Sequence, residues 1–290
     1  MNGDTTMTTF MPASGSLRMT PGRLLTLAIG VPVILALIGW IGFGAVAQVA
    51  QASFPVSYRI PVQDGQLVAS VGSGDITVRQ GQGTAALLTG RVQYDLVRPT
   101  VTERNTASGA QMNVNCRVPT GNCGLDATLE VPPQTAVSLS SGGGDLSVSG
   151  VDDNVTLSSE GGDVAVSGIG GIATVDTGGG DLTAGDLAGI LKFSTSGGDI
   201  NGNGLSASTL SIGSGGGDVT LVFTKPPANL TITSDGGDVT VLLPHGGTTY
   251  RIASSADGGD DSESVPVSPS SPNLINVDSG GGDISIAEPS

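Results

Sequence analysis

The side chains of this sequence best able to do chemistry are carboxylates, and eight of them share one setting. Each follows a glycine and precedes Ile, Leu or Val: Asp75, Asp145, Asp163, Asp181, Asp199, Asp218, Asp238 and Asp283. Carboxylates set in a row can bind Ca²⁺, which favours carboxylate and carbonyl oxygens. They can also act as acid–base pairs or accept backbone N–H groups at turns. Calcium-binding β-roll repeats have the form Gly-Gly-x-Gly-x-Asp. Here the order is Gly-Gly-Gly-Asp or Gly-Gly-Asp with no second Gly-x-Asp, so that signature is not met. Ca²⁺ therefore stays a secondary expectation. The primary one is structural: Asp accepts N–H bonds in an Asx-turn, and Gly allows positive φ and close packing of successive turns.

Catalysis has few parts to draw on. The single histidine, His245, sits in Pro244-His245-Gly246-Gly247 and reads as an exposed turn residue. No serine lies in a Gly-x-Ser-x-Gly elbow. A carbohydrate lyase built on a β-helix would need a base, for which the repeat array offers Lys192, Lys225 and Arg251. The paired acids are generated by the repeat itself, so their pairing says nothing about acid–base roles. No catalytic, cofactor-binding or metal-ligating residue is assigned, and the chain is not expected to be an enzyme. Cys116 and Cys123 flank a Pro119-Thr120-Gly121-Asn122 turn. In an exported protein such a pair reads as a disulfide stapling a hairpin. Two cysteines without a nearby histidine make a poor metal site.

The elements that position these groups follow from spacing. From Asp145 to Asp199 the interval is 18 residues three times, then 19 to Asp218 and 20 to Asp238. Eight and six residues before each Asp lie apolar side chains, such as Val155 and Leu157 or Leu191 and Phe193. Four before lies a hydroxyl: Ser141, Ser159, Thr177, Thr195, Ser214, Ser234 and Ser279. Spacing by two is strand periodicity, with alternate side chains facing inward. Each unit is thus a strand, a Gly-Gly-Asp turn, a second strand and a looser return. Stacked in parallel, such units make a β-solenoid of about 18–20 residues per coil, β-helix-like or β-roll-like. The cross-section is either a flattened two-sheet roll or more triangular. The inward hydroxyls are expected to form a ladder from coil to coil.

Composition agrees with an all-β chain. Aromatics are 3% of 290 residues and Gly numbers 47, so the core must rest on Val, Ile and Leu. The net charge of −15 is uneven. Residues 1–124 carry 8 Arg against 5 acids, or +3, whereas residues 125–290 carry 3 bases against 21 acids, or −18. A surface of that sign repels nucleic-acid phosphates and anionic headgroups, so nucleic acid is not an expected partner.

Residues 1–23 read as a disordered cytoplasmic tail and 24–48 as an uncharged apolar transmembrane helix. Arg18 and Arg23 precede this span and no charge follows until Arg59, which puts the N-terminus inside and the bulk of the chain outside. The alternative is a secreted protein, cleaved near Ala47 in Ala45-Val46-Ala47. Residues 49–66 are expected to be a linker, with Pro55 and Pro61 discouraging helix. Residues 67–131 are an irregular β part, and 132–287 the regular solenoid. Within it 254–272 read as a mobile acidic, Ser- and Pro-rich loop holding a degenerate Asp257-Gly258-Gly259-Asp260 turn, after which a last coil closes the stack.

Leu129-Glu130-Val131-Pro132, followed by strand, Ser, Gly-Gly-Asp and an apolar-polar-apolar triplet repeated through Ile286, resembles a bacterial family. Its members are membrane-anchored, adhesin-like domains of unknown function with β-strand repeats. The resemblance spans residues 55–287 and implies a non-enzymatic cell-surface module. Such a module would act as an adhesin or envelope scaffold that binds an extracellular polymer or a membrane protein. The alternative it leaves open is an envelope-stress-sensing ectodomain working through a membrane partner.

Overall fold

Strand propensity and period-two patterning produce 22 strands and no helix in the computed structural model, which describes residues 52–62, 64–95, 99–106, 109–115 and 123–289. For residues 103–106 and 109–115 the description is of the backbone. Residues 51–290 form a unit of their own. The tail expected at 1–23, the apolar helix at 24–48 and the cleavage alternative near Ala47 lie outside the described residues. Among the described residues no helix is long and apolar enough to cross a membrane.

The N-terminal part contains β1 (Ala52–Ile60), β2 (Gln66–Val71), β3 (Ile76–Gln80), β4 (Ala86–Tyr94), β5 (Thr100–Thr106), β6 (Gly109–Asn115) and β7 (Cys123–Val131). The regular coils follow as β8 (Ala136–Ser141), β9 (Leu146–Ser149), β10 (Val155–Ser159), β11 (Val164–Ser167), β12 (Ala173–Thr177), β13 (Leu182–Gly185) and β14 (Ala188–Thr195). They continue as β15 (Ile200–Ser214), β16 (Val219–Phe223), β17 (Asn229–Ser234) and β18 (Val239–Leu242). The chain ends in β19 (Arg251–Ala256), β20 (Asp261–Ser264), β21 (Leu274–Ser279) and β22 (Ile284–Ala287).

The protein is a parallel β-solenoid in which each regular coil lends one strand to each of two sheets. In the first sheet β8, β10, β12, β14, the second half of β15 and β17 pair in parallel, with Val137, Val155, Ala173 and Leu191 in one register row. In the second, β9, β11, β13, the first half of β15, β16 and β18 do the same. A bulge absorbs the extra residue of the 19-residue coil: Gly189 pairs with Ala207 and Ile190 with Thr209, leaving Ser208 unmatched.

Both sheets turn their apolar rows inward, and Leu157, Val175, Phe193, Val166, Leu182 and Ile200 are all buried. Burying a Val, Leu or Phe side chain contributes roughly 1.5–3 kcal/mol, repeated here in every coil. The return adds a third inward position with Val151, Ile169, Leu187, Leu205 and Leu243, all buried. The period-two patterning leaves that row unmarked, because one apolar residue in a loose return has no periodicity.

The two ends depart from chain order. At the start β2 and β3 stack directly on β8 and β9, while β6 and β7 lie on their outer side. Antiparallel strands finish that end: β5 on β6, β4 on β7 and β1 on β4. The expected linker at 49–66 is thus largely a strand. Pro55 excludes helix but is tolerated because β1 is an edge strand, where a missing N–H faces no ladder partner.

At the far end, β21 and β22 pair with β17 and β18 on one side and with β19 and β20 on the other. The expected loop at 254–272 is therefore corrected: its first half forms a coil, and that coil is outermost in space. Its Asp257-Gly258-Gly259-Asp260 turn is in register, with Asp260 N–H donating to Asp283 Oδ1 at 2.8 Å. What made it look degenerate is the polarity of its inward positions. Ser254 stands in the row of Val277, and Glu263 in the row of Ile286. Ser254 Oγ donates to Glu263 Oε1 at 2.7 Å, a polar plug across the open end. Inward-pointing charge on a terminal strand is a known defence against edge-to-edge pairing.

Tyr250 leads into this coil with 1% of its surface exposed, and its hydroxyl has no hydrogen-bond partner. Burial, and then the charge of Glu288, raise its pKa above the 10.0 of an ordinary phenol. The fold thus favours the neutral phenol. That contribution is complete below pH 10.0 and is lost as pH rises through the raised value. Tyr250→Phe is expected to raise stability at neutral pH by about 1 kcal/mol, the cost of the unsatisfied hydroxyl. It should also blunt the alkaline loss; denaturant titrations at pH 7 and above pH 10 read both effects.

Candidate functional site

The turn between the two sheets brings the predicted aspartates into one column along the solenoid. Asp163 N–H donates to Asp145 Oδ1 at 2.9 Å, Asp181 to Asp163 at 2.9 Å and Asp199 to Asp181 at 2.8 Å. The series continues through Asp218, Asp238 and Asp283, each donating to the carboxylate of the coil before. Toward the start, Asp145 N–H donates to Asp75 Oδ1 at 3.0 Å. Each carboxylate thus accepts from the neighbouring coil, where an Asx-turn would have it bond within its own turn. The aspartates rivet one coil to the next.

Two members of the column have no Gly-Asp-apolar signature. Asp126 precedes Ala127-Thr128-Leu129 but follows Leu125, and it accepts from Asp75 N–H at 3.3 Å. Asp260 follows Gly259 but precedes Asp261. The triplet after Asp126 and the Gly-Gly before Asp260 are each half of the motif, and half-matches would have found them.

The energetics favour this arrangement without a metal. Adjacent carboxylates about 4.8 Å apart repel by roughly 0.9 kcal/mol in water-like dielectric. A hydrogen bond to a charged group returns about 1.5–3 kcal/mol. Among the described residues no three His, Cys, Asp or Glu side chains are grouped to hold a metal ion. Asp181→Ala is expected to cost about 2 kcal/mol, as it leaves the Asp199 N–H unpaired. Asp181→Asn keeps an acceptor oxygen and should cost less than half of that; urea denaturation of both variants tests the order.

The hydroxyls beside the turn do not form the expected ladder across coils. Ser159 Oγ donates to Gly162 O at 2.9 Å, Thr177 Oγ1 to Gly180 O at 2.8 Å and Ser214 Oγ to Gly217 O at 2.9 Å. Each closes its own turn, whereas Ser279 Oγ donates to Gly237 O of the neighbouring coil at 3.4 Å. The glycine before each Asp acts mainly through close approach. A Cβ on Gly162, Gly180, Gly198 or Gly217 would collide with the carbonyl oxygen of the corresponding glycine one coil back. Among these turn glycines positive φ is confined to Gly74, Gly144 and Gly237, at 111°, 143° and 78°.

The remaining candidate groups do not converge. Lys192, Lys225 and Arg251 are exposed on three different coils. His245 is exposed, with Nε2 3.8 Å from Glu288 Oε2. Cys123 is disulfide-bonded, and its expected partner Cys116 lies outside the described residues.

A parallel two-sheet solenoid tied by a column of aspartates defines a repeat protein whose distinctive groups hold the coils together. The chain belongs to the Toastrack DUF4097 family, whose model matches residues 39–287. Among solved structures it is similar to a "putative adhesin" from Bacteroides fragilis, at 18% identity and TM-score 0.47, covering 81% of this chain and 97% of that one. It is also similar to a "putative cell adhesion protein" from Clostridium sporogenes, at 12% identity and TM-score 0.25, covering 82% of this chain and 100% of that one. No curated protein matches.

Proposed function

We propose that this chain is a non-enzymatic binding or scaffolding module displayed outside the cytoplasmic membrane. Its ligand would be an envelope polymer or a membrane protein. The observation that carries this reading is the use to which the repeated acids are put. Eight carboxylates of the repeated turn are spent on joining coils, and the described basic groups of the array stand apart on separate coils. What such a stack offers its surroundings is long, regular flanks, and extended solenoid faces serve as binding surfaces without a dedicated pocket.

Deleting the gene and scoring adhesion beside an envelope-stress reporter tests this reading. Loss of adhesion or of polymer retention at unchanged stress output supports it. Unchanged adhesion with altered stress output replaces it by a sensing ectodomain that acts through a membrane partner. Crosslinking the tagged chain on intact cells then identifies what is held.

A further inference from the structure

We propose that residues 244–273 are a detachable cap, and that the strand edge beneath them pairs with the same edge of a second copy of this chain once it is uncovered. The lengths of the returns mark these residues as an insertion. Three residues separate the inward Val151, Ile169 and Leu187 from Val155, Ala173 and Leu191, the first buried residues of the next coil. Four follow Leu205 before Leu210, and six follow Phe223 before Leu230. After Leu243 thirty-one precede Ile275, although Ile275 takes the same register row. The coil of β21 and β22 is thus the ordinary successor of β17 and β18. Residues 244–273 leave the stack between them and return to it.

The insertion is tied to itself, so it can move as one piece. Ser271 Oγ donates to Thr249 O at 2.6 Å, Arg251 N–H to Asn273 O at 2.8 Å and Tyr250 N–H to Pro266 O at 2.9 Å. Its hold on the coil beneath is one-sided. β19 and β20 each pair with a single strand, and every residue of β20 is exposed. Ser254 and Glu263 put polar groups where interior coils put Val, Leu or Ile. Tyr250 is buried but leaves its hydroxyl unpartnered. Units with few buried apolar contacts open at a lower free energy than the whole fold. The coil beneath is of the other kind, with Ile275, Val277, Ile284 and Ile286 all buried.

Lifting the cap frees Ile284 N–H, which donates to Asp260 O at 2.9 Å, and Ser279 O, which accepts from Asp257 N–H at 2.9 Å. The freed edge runs along both sheets at once, so a single extended peptide satisfies only half of it. The same end of a second copy presents two strands at the matching separation. A twofold axis normal to the sheets lays β21 antiparallel on its counterpart and β22 on its own, the self-complementary contact of a closed dimer. The reversal also keeps the acids apart, because the Asp283 turn of one copy falls over the Ala287 end of the other. The N-terminal end is no equivalent partner, since the antiparallel β5 and β1 already close it. The cap therefore acts as the chain's own block on end-to-end pairing.

The test compares the full chain, in detergent micelles, with a variant in which 244–273 is replaced by Gly-Gly, the link that joins Ile169 to Ile172. The variant is expected to melt cooperatively and to show concentration-dependent dimerisation beyond that of wild type in sedimentation velocity. Adding Asn276→Lys and Ser285→Lys, which sets outward charges on the bared edge, should restore wild-type sedimentation. In wild type, the amides of β19 and β20 should exchange with deuterium at least about tenfold faster than those of β17 and β18. A deletion variant that fails to fold shows that the coil beneath is incomplete without the cap, and overturns the proposal. So does a folded variant that sediments as wild type does, association that survives the two lysines, or equal exchange in β19 and β17.

Discussion

Gly180→Ala is expected to destabilise the solenoid by about 3 kcal/mol or more, while Gly179→Ala one residue earlier leaves it unchanged or slightly more stable. The two glycines share a turn but meet different surroundings. A Cβ on Gly180 would strike the carbonyl oxygen of Gly162 in the coil below, and on Gly179 it would meet nothing within 4 Å. Neither residue is among those with positive φ, so conformational freedom does not separate them. The collision cannot be relieved by a side-chain rotation, because the obstructing atom is backbone. Moving it would break the Asp163-to-Asp181 rivet at 2.9 Å beside it. Overpacking of side chains in cores costs about 1–3 kcal/mol, and a backbone obstacle belongs at the top of that range. Guanidinium denaturation followed by circular dichroism compares the pair. Equal midpoints would show that the coils can move apart locally, against the close approach at Gly162, Gly180, Gly198 and Gly217.

The second large effect concerns the open end. Replacing Ser254 by Val and Glu263 by Ile restores the apolar register of the interior coils, where Val277 and Ile286 stand. On a buried strand this pair of changes would add hydrophobic contact. On the terminal coil it is expected to promote association beyond that of wild type, because an apolar strand edge templates further pairing. Association should rise with protein concentration and appear in sedimentation velocity as a shift to dimers and larger species. A variant that sediments as wild type does across that range would show that the charged plug has no protective role, and that the neighbouring Asp257, Asp260 and Asp261 suffice.

What the sequence made legible is what repeats. The 18-residue interval, the inward Val and Leu rows and the paired strands of each coil all follow from aligning on the aspartates, and the register pairs Val155 with Ala173 and Ala173 with Leu191 accordingly. Residues that occur once, or that break the rule for a reason, were less readable. Ser254 and Glu263 look like loop residues because a solvent-facing end inverts the polarity expected of a coil. Pro55 looks like a linker residue because nothing local marks β1 as an edge. The direction of the aspartate bonds depends on the neighbouring coil, some 18 residues away, so a turn motif read by itself suggests the wrong partner.

The out-of-order ends also limit how this protein can change in length. At each end the outermost coil is followed or preceded in the chain by one lying inside it, so a segment appended to either terminus meets a finished edge. New coils can enter between β8 and β18, where every unit has the same neighbours above and below. Duplicating one 18-residue unit there would lengthen the stack by about 4.8 Å and leave both ends as they are. Relatives that differ in reach should therefore differ in the number of middle coils, with the same two closures at their ends.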